Sequence, residues 1–152
     1  MARVKAVGNP TLSPDGATVL YTVRQWEPPS DRDQDRLEAR TRIWRVLADG
    51  SEPARQITFG QRGDTQPQWS PDGRFISFLS ARGPAADGDE GGPKPQVHVM
   101  RADGGEAQKL TDAKEGVTSY SWSPDSARLA YLTSDPRPAP QEQRNADRSH
   151  SR

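Results

Sequence analysis

The tetrapeptide Ser-Pro-Asp-Gly, which recurs along the chain, constrains the fold more than any other feature. It stands at residues 13–16 and 70–73, and a third copy at 123–126 ends in serine where the others end in glycine. The copies are 57 and 53 residues apart. Proline presets φ, aspartate bonds back to the local backbone and glycine accepts positive φ, so each copy predicts a turn. A repeat at this spacing indicates a series of similar structural units.

The residues that recur in all three copies are those that form turns, so we assign them a structural role. The assigned turn positions are Asp15, Gly16, Asp72, Gly73 and Asp125. Ser126 takes the glycine position of the third copy, where positive φ is expected to cost about 1 kcal/mol.

Each turn is followed by a run that alternates as a β-strand does, at residues 17–23, 74–80 and 127–133. When the runs are aligned on the turns, one column contains Val19, Ile76 and Leu129, and the column two residues later contains Tyr21, Phe78 and Tyr131. A spacing of two places both columns on one face of a sheet. We therefore expect the members of each column to occupy equivalent environments.

Further strands complete each unit. Residues 42–50 and 96–104 align as third strands that end in Asp-Gly, a strong signal for a hairpin turn. Residues 54–58 and 107–111 follow as short fourth strands. Four antiparallel strands that recur about every 55 residues are typical of β-propeller blades.

The sequence thus predicts an all-β, partial β-propeller of about two four-stranded antiparallel blades and the first hairpin of a third. Blade 1 is predicted at 4–61 with an insert at 25–41, and blade 2 at 62–112 with an insert at 82–95. The first two strands of blade 3 are predicted at 113–135, and a disordered tail at 136–152.

Composition excludes several classes of function. The 21 basic and 21 acidic residues balance, so no strong field draws the chain to nucleic acid or to a membrane surface. The absence of cysteine excludes disulfides and thiolate metal sites. No apolar run has the length of a membrane span or a signal peptide. We expect a cytoplasmic protein that binds no cofactor, metal, nucleic acid or membrane.

Few residues are candidates for chemistry. His98 aligns with Trp44 inside a strand, which indicates packing, and His150 lies in the polar tail. The acidic, glycine-rich run at 87–92 lacks the spaced ligands of a calcium loop and is interpreted as a flexible loop. With two histidines and no Gly-x-Ser-x-Gly motif, the chain cannot assemble a nucleophile, a base and an orienting acid. We assign no catalytic, cofactor-binding or metal-binding residue.

Long segments follow the second strand of each unit, at residues 25–41, 82–95 and 134–152. Since successive connections alternate between the two ends of a sheet, these segments should project from the face opposite the Ser-Pro-Asp-Gly turns. That face is the predicted contact surface. Insertions that bind nothing would fit the pattern equally well. Charges in 31–41 have the spacing of a short helix.

These repeats resemble the Ser-Pro-Asp-Gly (TolB-like, WD-like) propeller class shared by TolB-like proteins and the prolyl oligopeptidase family of serine peptidases. The opening at 7–23, the segment at 40–46 and residues 116–125 with 134–136 are similar to bacterial acylaminoacyl-peptidase and dipeptidyl-peptidase-like members. The resemblance spans about residues 4–136. In that family a propeller precedes and covers an α/β-hydrolase domain that carries the catalytic residues. The acidic pair with which dipeptidyl peptidases hold a substrate amino terminus has no counterpart, because Glu115 stands alone.

The resemblance implies a non-catalytic fragment of a serine peptidase, in which the intact propeller would gate and position peptide substrates beside the hydrolase domain. The alternative is a TolB-like scaffold for protein–protein interaction. Nearly three blades are too few to close a ring, which needs at least four. We therefore expect an open edge on residues 127–133, available for further sequence or for self-association. A ring assembled from several copies is a third hypothesis.

Overall fold

The computed structural model describes residues 5–28, 37–84 and 90–135, and within these ranges the chain forms β-strands and no helix. The strands are β1 (Ala6–Leu12), β2 (Thr18–Glu27), β3 (Glu38–Leu47), β4 (Arg55–Gln56), β5 (Asp64–Trp69), β6 (Phe75–Ser80), β7 (Gln96–Arg101), β8 (Gln108–Lys109), β9 (Ser119–Trp122) and β10 (Leu129–Leu132). In the described part of the chain, no helix offers the length and apolarity needed to cross a membrane. His150, the predicted tail at 136–152 and residues 87–89 of the run at 87–92 lie outside the described residues.

The strands form three antiparallel groups in chain order. Sheet 1 has the order β1-β2-β3-β4, sheet 2 has the order β5-β6-β7-β8, and hairpin 3 consists of β9 and β10. Within each group, every strand pairs with the next one along the chain, so the connections inside a group are local. The all-β prediction of two four-stranded units followed by a hairpin is confirmed.

The core lies between these groups rather than within any one of them. Leu20 and Ile43 of sheet 1 meet Ile76, Phe78 and Met100 of sheet 2 in one cluster. A second cluster joins the other face of sheet 2 to hairpin 3 and consists of Leu79, Val97, Val117 and Tyr120. Full burial of each large side chain contributes about 1.5 to 3 kcal/mol. Sheet 2, buried on both faces, therefore depends on a neighbour at each side, as stacked blades do.

The first aligned column behaves as expected for two of its three members. Ile76 packs towards sheet 1, and Leu129 packs towards sheet 2. Val19 alternates with Leu20 along β2, so it lies on the face of sheet 1 that no described sheet covers. The repeated column therefore marks the face that each unit presents to the preceding one.

The fourth strands are short because a threonine side chain replaces the next rung of each ladder. The Ile43 N–H donates to Thr58 Oγ1 at 3.0 Å, and the Val97 N–H donates to Thr111 Oγ1 at 2.9 Å. Both threonines are buried. Each outer strand is thus only two residues long, which leaves little edge for unwanted pairing.

The β2–β3 hairpin is longer than predicted. Gln25 pairs with Arg40 and Glu27 pairs with Glu38, so both ends of the predicted insert at 25–41 extend the sheet. The helix predicted for residues 31–41 is wrong over 38–41, which are strand, and residues 31–36 lie outside the described ranges. Charge spacing does not separate the two structures, since a two-stranded extension that is open to water accepts charged side chains on its exposed face.

Candidate functional site

The three Ser-Pro-Asp-Gly copies have one hydrogen-bonding scheme. In the first, Ser13 Oγ donates to Asp15 Oδ1 at 2.5 Å and accepts from the Thr18 N–H at 2.9 Å, while Asp15 Oδ1 accepts the Ala17 N–H at 3.0 Å. The second and third copies repeat these bonds through Ser70 with Asp72 and through Ser123 with Asp125. In each copy the serine and the aspartate hold the entry and the exit of the turn.

This scheme sets the charge state of the turn carboxylates. The serine hydroxyl first, and a backbone N–H second, lower the pKa of Asp15, Asp72 and Asp125. A general base needs a pKa near the working pH, so a carboxylate held below its ordinary range is a weak proton acceptor. The aspartates are suited to turn formation rather than to proton transfer.

The last position of each turn lies in the left-handed region. Gly16 and Gly73 both have φ of 72°, and Ser126 has φ of 59°. Ser126 Oγ accepts the Asp72 N–H at 3.0 Å, which links the turn of hairpin 3 to that of sheet 2. This bond between turns offsets part of the strain that serine has at a glycine position.

At the opposite end of sheet 2, Asp64 forms a buried ion pair. Its carboxylate is fully buried, and Oδ2 lies 3.0 Å from Arg82 Nη2 and accepts the Gly60 N–H at 3.2 Å. Oδ1 is buried without a hydrogen-bond partner. A Cβ on Gly60 would lie 2.8 Å from that oxygen, so only glycine fits there. The carboxylate therefore fixes the loop that joins sheet 1 to sheet 2.

Arg82 also covers the aromatic part of the core. Its guanidinium lies 5.1 Å from the centre of the Phe78 ring, and Phe78 stacks on His98 with ring centres 5.9 Å apart. His98 is 4% exposed, and burial lowers its pKa. The neutral ring donates from Nδ1 to the Gln96 carbonyl, 3.1 Å away. The structure places His98 as a packed side chain beneath an arginine.

The described parts of the first two inserts meet at the loop that contains Gly60, at the end opposite the turns. Arg42 Nη1 donates to the Gly60 carbonyl at 2.6 Å, and Arg42 Nη2 lies 3.3 Å from Glu27 Oε2. Gly63 packs so closely on the Thr41 backbone that a Cβ would touch it, and Gly92 lies even closer to the Arg62 guanidinium. Among residues 5–28, 37–84 and 90–135, no three acidic or histidine side chains are grouped to hold a metal ion. These contacts hold the loop between sheets 1 and 2 in place.

Polar contacts join β5, the first strand of sheet 2, to the beginning of hairpin 3. Gln66 Nε2 donates to the Thr118 carbonyl at 3.1 Å, and Gln68 Nε2 donates to the Tyr120 carbonyl at 2.9 Å. In return, the Tyr120 hydroxyl donates to the Gln66 carbonyl at 2.6 Å, and burial raises the pKa of that hydroxyl. A β-bulge with Gln66 at φ of 51° aims this part of β5 at its neighbour.

A tryptophan precedes the serine of the second and third turns, and the two indoles differ. Trp122 Nε1 donates to Ser77 Oγ of sheet 2 at 2.8 Å, whereas Trp69 Nε1 is buried without a partner. The residue of sheet 1 that aligns with Ser77 is Leu20. The joint between sheets 1 and 2 therefore relies on apolar contact where the next joint has a hydrogen bond.

The turn aspartates are recognisable in the sequence, whereas the Asp64–Arg82 pair is not among the residues predicted from it. A usable signal was present, because Asp64 stands where the aligned units have Val7 and Val117. One charged residue in an otherwise apolar column indicates a special contact. The Trp122–Ser77 bond had no such signal, since its partners are 45 residues apart and meet only when the sheets stack.

Known proteins resemble this chain in sequence over most of its length. No protein-family model matches the chain. Over 131 residues, or 86% of the chain, it is 33% identical to the uncharacterized peptidase YuxL of Bacillus subtilis. Over 147 residues, or 97% of the chain, it is 31% identical to dipeptidyl-peptidase 5 of Porphyromonas endodontalis. The chain spans 18% of the length of each of these relatives.

The crystal structure of TolB from Acinetobacter baumannii superposes with a TM-score of 0.58 at 22% identity, over 82% of this chain and 26% of that one. The chain has a TolB-like propeller fold. In this TolB-like propeller, sheets 1 and 2 are successive blades and hairpin 3 follows them, and the two sequence relatives named above are peptidases. The resemblance is confirmed at the level of the TolB-like fold and of peptidase relatives.

Proposed function

We propose that this propeller segment belongs to a serine peptidase of the prolyl oligopeptidase type, near its acylaminoacyl-peptidase and dipeptidyl-peptidase-like members. The observation that carries the proposal is the identity of 33% and 31% to two peptidases over 86% and 97% of the chain. Likeness of this extent includes the inserts as well as the repeated turns. The peptidase relatives therefore supply the function, and the TolB structure supplies only the fold.

Within that enzyme, the segment would contribute shape rather than chemistry. The turn carboxylates are held at lowered pKa by serine hydroxyls, and His98 is buried beneath Arg82. Groups in such states suit a rigid frame better than proton transfer. The intact propeller would stand beside a hydrolase domain and admit peptide substrates by size, so its partners would be that domain and the peptides.

A labelling experiment tests this proposal. An antibody raised against the chain should capture the intact gene product from its source cells, and that product should react with a fluorophosphonate and hydrolyse peptides. The purified 152-residue chain should do neither. An intact product that does not react with the fluorophosphonate, or one that consists only of further blades, would reject the peptidase and favour the TolB-like scaffold. Serine-reagent-sensitive turnover by the purified chain would reject its non-catalytic role.

A further inference from the structure

The loop that follows β4 carries exposed side chains that the equivalent loop after β8 does not. Phe59 and Arg62 stand in the first loop, where the aligned positions of the second hold Asp112 and Glu115. Phe59 is 72% exposed. Both loops are built on a buried threonine and a glycine at positive φ, so the fold accepts acidic residues at these two positions. The shape of the loop therefore does not account for the aromatic ring and the guanidinium.

Phe59 and Arg62 line a cavity of about 570 Å³ between sheets 1 and 2, here called the Arg62 pocket. Ile57 and Ala107 add apolar surface to it, and Arg82 adds a second guanidinium. A volume of this size with mostly apolar walls and a few polar groups is typical of a site for a small ligand. Both sheets that form the pocket have all four strands, so it does not depend on hairpin 3.

The guanidinium of Arg62 has a fixed neighbour but no charged partner. It packs against Gly92, where a Cβ would lie 2.9 Å from Arg62 Nη1. Over the part of the chain that the structure describes, no carboxylate lies within ion-pair distance of Arg62. A guanidinium presents paired N–H groups that match the two oxygens of a carboxylate. Arg62 is therefore available to an anionic ligand in the pocket.

The other charges of the pocket limit this ligand to a single negative charge. Arg82 donates from Nε to Ser80 Oγ and from Nη2 to Asp64 Oδ2, both at 3.0 Å, so its charge is already paired and Nη1 is left to donate a hydrogen bond. Glu106 also lines the pocket, and its charge opposes the approach of an anion. A dianion such as a phosphate monoester would meet this repulsion twice over. A carboxylate meets it once and can be paired by Arg62.

We propose that the Arg62 pocket binds the carboxyl-terminal residue of a peptide, with the carboxylate at Arg62 and an apolar side chain against Phe59. A terminal phenylalanine or leucine joins one negative charge to a large apolar group within a single residue, which is the combination that the pocket offers in reverse. This assignment rests on the proposed peptidase function, since it takes a peptide as the ligand. An acidic side chain within a peptide supplies the same carboxylate chemistry, so the experiment compares the two sources.

Three blocked tripeptides test the pocket by NMR titration of the isotope-labelled 152-residue chain. Acetyl-Ala-Ala-Phe as the free acid should bind saturably. Its amide should bind at least about tenfold more weakly, because it lacks the charge that accepts the hydrogen bonds of Arg62. Acetyl-Ala-Glu-Phe amide carries its only carboxylate on a side chain and should bind as weakly as the first amide.

Variants of the pocket should change this binding in opposite directions. Arg62→Gln should weaken binding of the free acid by at least about tenfold and leave it no tighter than the amide. Phe59→Ser should lower the preference for terminal phenylalanine over alanine by at least about threefold. Glu106→Gln should strengthen binding of the free acid about twofold, because it removes a like charge. Arg55→Gln is the matched control, since it makes the same change of charge at a side chain that is 71% exposed and does not line the pocket.

Several results would overturn the proposal: no saturable binding below about 5 mM peptide, equal affinity for the free acid and its amide, or equal effects of Arg62→Gln and Arg55→Gln. Tight binding of the glutamate-containing amide would assign the carboxylate to a side chain and overturn the choice of the peptide terminus. Arg62 and Phe59 are both exposed, so their variants should keep the urea midpoint of the parent chain. No readout involves hydrolysis, so a chain that binds no peptide can still belong to a product that reacts with the fluorophosphonate.

Discussion

Among single residues, Asp64 has the most demanding environment. Its carboxylate is fully buried, one oxygen has no partner, and the other depends on Arg82 and the Gly60 N–H. Removal of one member of a buried ion pair costs more than replacement of both, because the remaining charge is left without compensation. The aligned positions of sheet 1 hold Val7 and Gln25, so the chain itself supplies an uncharged alternative for each partner.

We expect Arg82→Gln to lower the free energy of unfolding by about 2 kcal/mol, less than for a fully buried pair because Arg82 is 31% exposed. Asp64→Val should cost less, since Arg82 can turn towards water. The double variant should be more stable than Arg82→Gln alone. Urea titrations of the three proteins measure these differences, and equal losses for Arg82→Gln and the double variant would contradict the coupling.

The turn aspartates predict a dependence of stability on pH. Ser70 Oγ and the Arg74 N–H lower the pKa of Asp72 in the folded state. In the unfolded chain the pKa of this carboxyl group is about 3.9. A folded pKa below the unfolded one adds stability above about pH 4, and this stability is lost as the pH falls through the folded value. Urea midpoints should therefore drop as the pH falls from about 5 to below the unfolded pKa. Asp72→Asn should reduce that slope, and an unchanged slope would refute the assignment.

At the scale of strands, local chemistry was sufficient to predict most elements. The run predicted at 74–80 is β6 (Phe75–Ser80), because a turn sequence and a period of two fix both its start and its faces. The β2–β3 extension was missed because its backbone is satisfied by pairing across the hairpin, which leaves no apolar pattern in the sequence. The predicted fourth strands, 54–58 and 107–111, are shorter in the structure because Thr58 and Thr111 continue the bonding through side chains.

Contacts between elements could not be predicted from the same signals. The turn positions Asp15, Asp72 and Asp125 bond within their own copies, so a short stretch of sequence contains both partners. Trp122 and Ser77 belong to different units and meet only through stacking. Thus the local part of the candidate site could be predicted from sequence, and the part between sheets needed the structure.

The joint between sheet 2 and hairpin 3 gives a prediction at this scale. Ser77→Ala should lower the free energy of unfolding by about 1 kcal/mol, because it removes the acceptor of the part-buried Trp122 N–H. Trp122→Phe in the Ser77→Ala background should add less than Trp122→Phe does alone. Thermal or urea unfolding of the four proteins forms the cycle, and additive losses would show that the hydrogen bond contributes nothing.

For the molecule as a whole, the arrangement makes sheet 2 the most protected part. Its two faces contact sheet 1 and hairpin 3, whereas sheet 1 and hairpin 3 each have one such contact among the described residues. Local stability follows the number of covered faces and paired edges. Sheet 1, sheet 2 and hairpin 3 thus differ in protection from exchange, although their sequences align.

Hydrogen exchange should reveal this gradient. The amide hydrogens of Ile76 and Phe78 lie between β5 and β7 and should exchange slowly, while those of their counterparts Leu129 and Tyr131 should exchange faster by at least about a hundredfold. Mass spectrometry of peptides from β6 and β10 measures the difference. Equal protection of both strands would contradict this gradient.

The glutamines of β5 bind the main chain of hairpin 3, at the carbonyl groups of Thr118 and Tyr120. Every amino acid offers that carbonyl, so mutation at the recipient position leaves the acceptor intact. The Gln66 bond to the Thr118 carbonyl thus tolerates a change of side chain at position 118. We therefore expect this joint to accept substitutions on the hairpin 3 side without losing its main-chain contacts.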